Sequence, residues 1–265
     1  MEILGYTASV FIGIFLGLIG GGGSILTVPV LVYLFSIDAA LATTYSLFIV
    51  GMTSIAGSVS YFKKGLINLK TALIFGVPSI LSVFLTRMYI VTAIPEVIFA
   101  AGNFTFTKNM MLMLVFAILM IFASYSMIKK CTGEDCFPSE DQKVKKAAVI
   151  MHGTLVGFVT GLIGAGGGFL IIPALVNVLR LDIKKAIGTS LFIIALNSLF
   201  GFGVSVSHSV IEWSFILKIL GLAISGVFLG SWLSTKINGK KLKPAFGWFV
   251  LIMGMYIIIR ETLIH

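Results

Sequence analysis

Residues 17–29 read GLIGGGGSILTVP, and this stretch decides the fold because four consecutive glycines interrupt an apolar run that then resumes. A glycine in a helix interior costs about 1 kcal/mol relative to alanine, so four in a row are expected to end a helix inside the apolar segment. In lipid, unwound backbone survives only where protein or a polar cavity satisfies its amide groups. The interruption therefore predicts a broken helix beside a polar site.

The same stretch occurs a second time, 144 residues further along, where residues 161–173 read GLIGAGGGFLIIP. The match continues without a gap to Gly57 and Gly201, and 18 of the 41 aligned positions are identical. We call residues 20–24 the first break and residues 164–168 the second break. Two matched breaks in two matched halves are typical of a transporter whose binding site lies near the bilayer midplane.

The composition indicates an integral membrane protein. Of the 265 residues, 58% are hydrophobic and 11% are charged, against roughly 25% charged in soluble domains. The mean hydropathy is +1.10. The basic residues lie in short loops, so the net charge of +9 indicates membrane orientation and not nucleic-acid binding. Glu2 stands where a secretion signal would have basic residues, so we expect residues 1–20 to belong to the mature fold.

The apolar runs predict an all-α fold with two repeats, each made of a broken helical hairpin and three transmembrane helices. We expect an N-terminal repeat at residues 1–128, a linker at 129–146 and a C-terminal repeat at 147–265. The predicted hairpin limbs are 3–19 with 25–36, and 147–163 with 169–179. The predicted single spans are 40–62, 69–91, 109–128, 183–207, 213–235 and 244–260.

The distribution of lysine and arginine predicts the orientation, because these residues gather in cytoplasmic loops. Four basic segments hold 15 of the 19 basic residues: Lys63, Lys64 and Lys70; Lys129, Lys130, Lys143, Lys145 and Lys146; Arg180, Lys184 and Lys185; and Lys236, Lys240, Lys241 and Lys243. If these four segments lie on the cytoplasmic side of the cell membrane, then Asp38, residues 92–107, residues 207–212 and both termini lie on the outer side. Each half then has an odd number of crossings beside its hairpin, so the two repeats are predicted to be inverted relative to each other.

Hairpins that enter from opposite faces bring their glycine-rich tips together. We expect helices to begin at Ser24 and at Gly168 or Phe169, and helix N-termini favour an anion. We therefore predict a small anionic substrate. The candidate substrate-binding residues come from the two breaks and the next helices: Gly20, Gly21, Gly22, Gly23, Ser24, Thr43, Thr44, Ser46, Gly164, Ala165, Gly166, Gly167, Gly168, Thr189, Ser190 and Asn197.

Ser46 and Ser190 are aligned in the two halves, and we expect them to contact one anion from opposite sides. Small hydroxylated residues also permit close helix packing in lipid, so this alternative remains open. We expect Arg87 and Lys218 to extend toward the membrane surface and His152 to be a packed or interfacial side chain, with proton coupling as the alternative. Cys131 and Cys136 have no nearby histidine and are expected to be free thiols, so we predict no metal and no cofactor.

The sequence does not favour an enzyme. The glycine run lacks the GK[ST] of a nucleotide-binding loop, and HExxH and GxSxG are absent. The predicted membrane interior also has no acidic residue clear of a helix end. Besides a carrier, the pattern leaves open a channel and a membrane anchor or assembly subunit, although an anchor has no use for unwound backbone in lipid. The predicted partners are the substrate and lipid; whether the chain forms a homo-oligomer stays open.

Two pairs of segments carry a family resemblance: GLIGGGGSILTVPVL with DAALATTYSLF, and GLIGAGGGFLIIPAL with DIKKAIGTSLF. They resemble the duplicated signature of the TauE/SafE family of sulfite and organosulfonate exporters, over nearly the whole chain. The resemblance implies export of sulfite, or of a sulfonate such as sulfoacetate, and places the site at residues 20–24 and 164–168 and at the starts of the following helices. Another small oxyanion or carboxylate remains an alternative. Ala165 departs from the pattern, since it aligns with Gly21.

Overall fold

The computed structural model describes residues 2–19, 22–101, 104–128, 146–177, 179, 181–207, 210–234 and 239–263. Cys131, Cys136 and almost all of the predicted linker lie outside these residues. The α-helices are α1 (Glu2–Ile19), α2 (Thr27–Tyr33), α3 (Ala39–Lys63), α4 (Leu69–Leu85), α5 (Lys108–Ile128), α6 (Lys146–Ile163), α7 (Gly168–Asn177), α8 (Ile183–Val206), α9 (Trp213–Ser234) and α10 (Gly239–Leu263). A 3-10 helix (Gly22–Leu26) precedes α2, and a π-helix (Thr86–Val91) continues α4.

Five helical segments of the described chain are long and apolar enough to cross a membrane: Ala39–Lys63, Leu69–Val91, Lys108–Tyr125, Lys184–Val206 and Trp213–Leu233. They coincide with five of the six predicted single spans, and the sixth prediction, 244–260, falls within the longer helix α10. Many large apolar side chains face outward, for example Leu73 (63% exposed) and Phe122 (68% exposed). Such a surface suits lipid, because soluble monomers rarely expose apolar patches of this extent. The chain is a mostly helical, multi-pass membrane protein.

Helix starts follow local capping chemistry. The Asp38 carboxylate accepts hydrogen bonds from the backbone N–H groups of Ala40 (2.9 Å) and Leu41 (3.3 Å), which caps α3. The Asn68 side chain accepts one from the N–H of Thr71 at 3.1 Å and caps α4. These caps fix the ends of two helices that lead into the centre of the molecule.

Residues 92–107 were predicted only as an outside loop, and the structure adds a β-hairpin there. Strand β1 (Val97–Ala101) pairs antiparallel with β2 (Phe104–Thr107), with Phe99 opposite Phe106. Aromatic and β-branched residues dominate both strands, and such residues favour extended backbone. The expectation of a purely α-helical chain is therefore corrected by one short hairpin.

Glycines allow two helix pairs to pack with backbones almost touching, as small residues commonly do in membranes. Helix α6 lies along α4: a Cβ added at Gly153 would lie 2.6 Å from the carbonyl oxygen of Phe75, and one at Gly157 would overlap that of Ser79. Helix α1 lies along α9 in the same manner, with Gly13 against the carbonyl of Ala223. Each pair joins a helix of one half to a helix of the other.

The central pair, α3 and α8, runs antiparallel. Gly51 faces Leu199, where an added Cβ would lie 2.9 Å from Leu199 Cδ2, and Gly57 faces Leu191 at 3.4 Å from Cδ1. Residue numbers therefore increase along α3 in the direction in which they decrease along α8. Helices α5 and α10 pack together beside this pair. The second break lies against this central pair, where Gly164 faces α3 and Gly166 faces both helices.

The first apolar pair is bent back on itself, as predicted. The ring of Tyr6, in the first turns of α1, packs edge-on against the ring of Phe35, which follows α2, with 5.4 Å between centroids. The beginning of α1 and the end of α2 are therefore neighbours. The chain reverses direction between them, at the first break.

Candidate functional site

The second break is a buried loop that only glycine accommodates easily. Gly164, Gly166 and Gly167 have φ values of 71°, 67° and 69°, in the left-handed region that side chains other than glycine avoid. The loop joins the end of α6 to α7, which begins at Gly168 as predicted. The carbonyl of Gly167 accepts hydrogen bonds from the N–H groups of Leu170 and Ile171, at 2.9 and 3.0 Å, so it starts α7.

The second break lies directly against α3 and α8. A Cβ added at Gly164 would lie 2.5 Å from Thr43 Cβ, and one at Gly166 would lie 2.6 Å from Val50 Cγ1 and 3.0 Å from Ser198 Oγ. Ser46 is three residues after Thr43 and four before Val50, so it occupies the same face of α3. The loop therefore covers a strip of α3 with Ser46 at its middle.

Several buried polar atoms beside the second break have no hydrogen-bond partner among the described residues. They are Ser46 Oγ, Ser198 Oγ, Thr160 Oγ1 and the side-chain oxygen of Asn197, whose amide nitrogen donates a hydrogen bond to Ser79 Oγ at 2.7 Å. All four residues are at most 1% exposed. A buried polar group left unpaired typically costs about 1–3 kcal/mol, and native structures rarely cluster such groups without a function. Their proximity to the loop makes this the candidate substrate site.

The first break differs from the prediction. Gly20 and Gly21 lie outside the described residues, while Gly22 and Gly23 begin the 3-10 helix. We expected an α-helix to start at Ser24, but α2 starts at Thr27, because the chain passes through a 3-10 turn and Leu26 enters α2 without a side-chain cap. Ser24 is fully buried inside that turn. The two breaks therefore have different backbone structures, although the 3-10 helix does contact α7.

Several other candidate residues have hydroxyl groups that are already engaged in hydrogen bonds within the protein. Thr43 and Thr44 donate to the carbonyl of Ala40, at 2.8 and 3.2 Å. Ser190 donates to the carbonyl of Ile187 at 2.8 Å, and Thr189 Oγ1 accepts from the N–H of Asn68 at 3.0 Å. Ala165 is a buried residue within the loop.

The structure does not bring Ser46 and Ser190 together. Leu191 contacts Gly57, so Ser190 lies near the level of Gly57, eleven residues from Ser46 along α3. At 1.5 Å per residue this separation is about 16 Å, more than one small anion can bridge. The expectation that these two serines share an anion is wrong, because α3 and α8 are antiparallel and the aligned serines lie on opposite sides of their crossing point.

Arg87 lies in the interior of the protein, so its predicted position at the membrane surface is wrong. We expected it to extend to the membrane surface, but it is 4% exposed and lies in the π-helix that continues α4. A Cβ added at Gly164 would lie 2.7 Å from its Nη2 atom. A lone charge inside an otherwise apolar span was the sequence signal for a functional group, since such residues generally face a cavity or partner.

The other charged or titratable candidates are peripheral. Lys218 is exposed on α9, in agreement with the expected surface role. The Nδ1 atom of His152 lies 2.7 Å from the carbonyl oxygen of Ala148, one turn earlier on α6. His152 is partly buried, so the packed or interfacial interpretation is retained.

Comparison with known proteins identifies the family. The model of the family described as sulfite exporter TauE/SafE matches residues 6–257, nearly the whole chain and both breaks. The chain belongs to the TauE/SafE family. The relatives that it matches are named probable membrane transporter proteins, and this TauE/SafE protein is a membrane transporter.

Relatives of this TauE/SafE protein occur in several bacteria. A probable membrane transporter protein of Xylella fastidiosa (strain 9a5c) is 29% identical over 260 residues, covering 94% of this chain and 92% of the relative. The probable membrane transporter protein YunE of Bacillus subtilis is 26% identical over 262 residues, covering 91% of each. A probable membrane transporter protein of Haemophilus influenzae is 24% identical over 273 residues, covering 94% of each. No solved structure gives a significant match.

Proposed function

We propose that this protein is a secondary transporter that exports a small anion, sulfite or an organosulfonate such as sulfoacetate, by alternating access around the second break. The observation that carries the proposal is the cluster of unpartnered hydroxyl groups of Ser46, Ser198 and Thr160 around the glycine loop. The family name supports a sulfur oxyanion as the cargo. Buried hydroxyl groups without partners can donate hydrogen bonds to an oxyanion, because an oxyanion has several oxygens that accept them.

Inverted repeats form part of this proposal, and equivalent contacts in the two halves support them. A Cβ added at Gly17 would meet the carbonyl oxygen of Val227, and one at Gly161 would meet that of Val83. At the offset of 144 residues, Gly161 is equivalent to Gly17 and Val227 is equivalent to Val83. Exchanging the two halves therefore converts one contact into the other. The equivalent helices α3 and α8 run antiparallel, as inversion requires. We assign the repeats to residues 1–128 and 147–265, joined by the linker 129–146.

A binding panel on the purified protein tests the proposed cargo. Sulfite, sulfate, methanesulfonate, sulfoacetate and acetate are titrated in turn by isothermal calorimetry, with a neutral sugar as the control. We expect saturable binding of sulfite or a sulfonate and no heat with the sugar. Selective binding of the sugar, or no binding of any anion, would contradict the proposal.

The serines provide a matched pair of variants. Ser46 lies beside the second break with an unpartnered hydroxyl, whereas Ser190 is bonded to Ile187 and lies about 16 Å away along α3. A hydrogen bond to a charged ligand is worth about 1.5–3 kcal/mol, so Ser46→Ala should weaken sulfite binding roughly tenfold or more. Ser190→Ala should leave it unchanged. Equal losses in both variants would move the site away from the second break.

Accessibility of introduced cysteines tests the proposed orientation, with the linker inside and both termini outside. Starting from a variant with Cys131→Ser and Cys136→Ser, we place one cysteine at Val210, which is 93% exposed, or at the exposed Lys64. Val210→Cys should react with an impermeant maleimide in intact cells, and Lys64→Cys only after permeabilisation. The reverse pattern would invert the orientation.

A further inference from the structure

Arg87 holds a buried positive charge whose guanidinium is only partly satisfied. Its Nη1 atom donates a hydrogen bond to Ser205 Oγ at 3.3 Å, and the Ser205 hydroxyl in turn donates to the carbonyl of Gly201 at 2.9 Å. Among the described residues, Arg87 Nε and Nη2 have no hydrogen-bond partner. The six acidic residues of the described part of the chain lie at helix ends or in loops, so none of them belongs to the helix interior around Arg87.

The unpartnered atoms form one edge of the guanidinium. Nη1 lies on the same side as the arginine Cδ atom, whereas the N–H bonds of Nε and Nη2 point in parallel to the opposite side. This pair of parallel donors matches two oxygens bonded to one atom, as in a carboxylate, sulfonate or phosphate. Because Ser205 holds Nη1, rotation of the plane is restricted and the free edge has a defined direction.

The position of Gly164 shows that this guanidinium borders the second break. A Cβ added at Gly164 would lie 2.7 Å from Arg87 Nη2 and 2.5 Å from the carbonyl oxygen of Thr43. A side chain at this position would therefore occupy space against the free edge. Ser46 follows Thr43 by one turn on the same face of α3, which places its unpartnered hydroxyl along the same loop.

The backbone that carries Arg87 is unusual as well. Residues Thr86–Val91 form a π-helix, which shifts the register of side chains by about one residue and often occurs at functional sites. The equivalent residue in the other half, 144 positions later, is Ser231, which lies within the regular helix α9. At this aligned position the first half has a cation and the second half has a serine, so this element of the site is not duplicated.

We propose that the Nε–Nη2 edge of Arg87 binds two oxygens of the transported anion, and that Arg87 is the main charged ligand of the site. This inference rests on the proposed function and refines it. It makes the cargo an oxyanion with two oxygens on one central atom, in preference to a halide or a neutral molecule. It also places the anion at the second break, beside α3 and α8, and not midway between two equivalent tips.

Three variants test the edge, with sulfite, methanesulfonate and chloride as probes in calorimetric titrations of the purified protein. Arg87→Gln should reduce the affinity for sulfite and methanesulfonate by about a hundredfold or more, since two charge-assisted bonds are lost. Arg87→Lys should recover only part of this, because an ammonium group lacks the parallel fork. Lys218→Gln removes the same charge from an exposed position and should bind like the wild type.

Thermal unfolding separates binding from folding in the same samples. Arg87→Gln removes an unpaired buried charge, so its unfolding temperature without ligand should not fall, while the stabilisation by added sulfite should disappear. Wild-type affinity in Arg87→Gln, or full affinity in Arg87→Lys, would overturn the inference and leave the proposed function intact. If the wild type binds none of the anions, the proposed function itself is overturned.

Discussion

Replacing Gly166 with leucine should abolish anion binding by the purified protein. Gly166 has φ 67°, a conformation that leucine adopts only with strain. The first carbon of a new side chain would lie 2.6 Å from Val50 Cγ1 and 3.0 Å from Ser198 Oγ, so leucine would displace these neighbours and disturb the unpartnered hydroxyl of Ser198. Calorimetric titration with sulfite, compared with the wild type, measures the loss.

Gly203→Leu is the matched control for this prediction. Gly203 is an exposed helical residue on α8 with no atom within 4 Å of an added Cβ, so the same substitution there meets open space. The control should bind sulfite like the wild type. If Gly166→Leu is folded by size-exclusion chromatography and keeps wild-type affinity, the second break is not the site.

Replacing Gly157 with alanine should destabilise the fold strongly, although it adds a single methyl group. An added Cβ at Gly157 would overlap the carbonyl oxygen of Ser79, and backbone atoms cannot move aside as a flexible side chain can. Helices α6 and α4 would have to separate. Overpacking typically costs about 1–3 kcal/mol, so we expect a clear fall in the unfolding temperature measured by differential scanning fluorimetry.

Gly221→Ala, in helix α9, is expected to raise the stability of the fold instead of lowering it. Nothing lies within 4 Å of a Cβ added there, so only the intrinsic preference of helices for alanine applies, about 1 kcal/mol in favour of the variant. A Gly157→Ala protein as stable as Gly221→Ala would mean that α4 and α6 do not pack as closely as the structure has them.

Helix positions were predictable because apolar runs in a membrane protein end where charges and loops begin. Residues 183–207 were predicted as a span and α8 occupies Ile183–Val206; residues 147–163 were predicted and α6 occupies Lys146–Ile163. The second break was also predictable, since its glycines have no side chains to oppose positive φ. The backbone structure of the first break was not predictable, because a run of glycines permits a 3-10 helix as well as a loop with positive φ, and the sequence does not decide between the two.

The composition of the site was harder to predict. Both lipid and protein interior are apolar, so the pattern along α4 does not reveal which face holds Arg87, and the π-helix that changes its direction leaves no sequence signature. Alignment of Ser46 with Ser190 suggested a shared ligand. Only the antiparallel register of α3 and α8, set by contacts such as Gly57 with Leu191, separates them. Ser198, which was not among the candidate residues, lies beside Gly166 instead.

Counterflow in vesicles tests the central claim most directly, because it requires both anion recognition and alternating access. Purified protein is reconstituted into liposomes loaded with unlabelled sulfite, and the entry of radiolabelled sulfite is followed over time, with Gly166→Leu as the inactive control. We predict that internal sulfite accelerates entry of the label, that the rate saturates, and that Gly166→Leu abolishes it. Entry that is independent of internal sulfite and does not saturate would indicate an open channel and contradict the account.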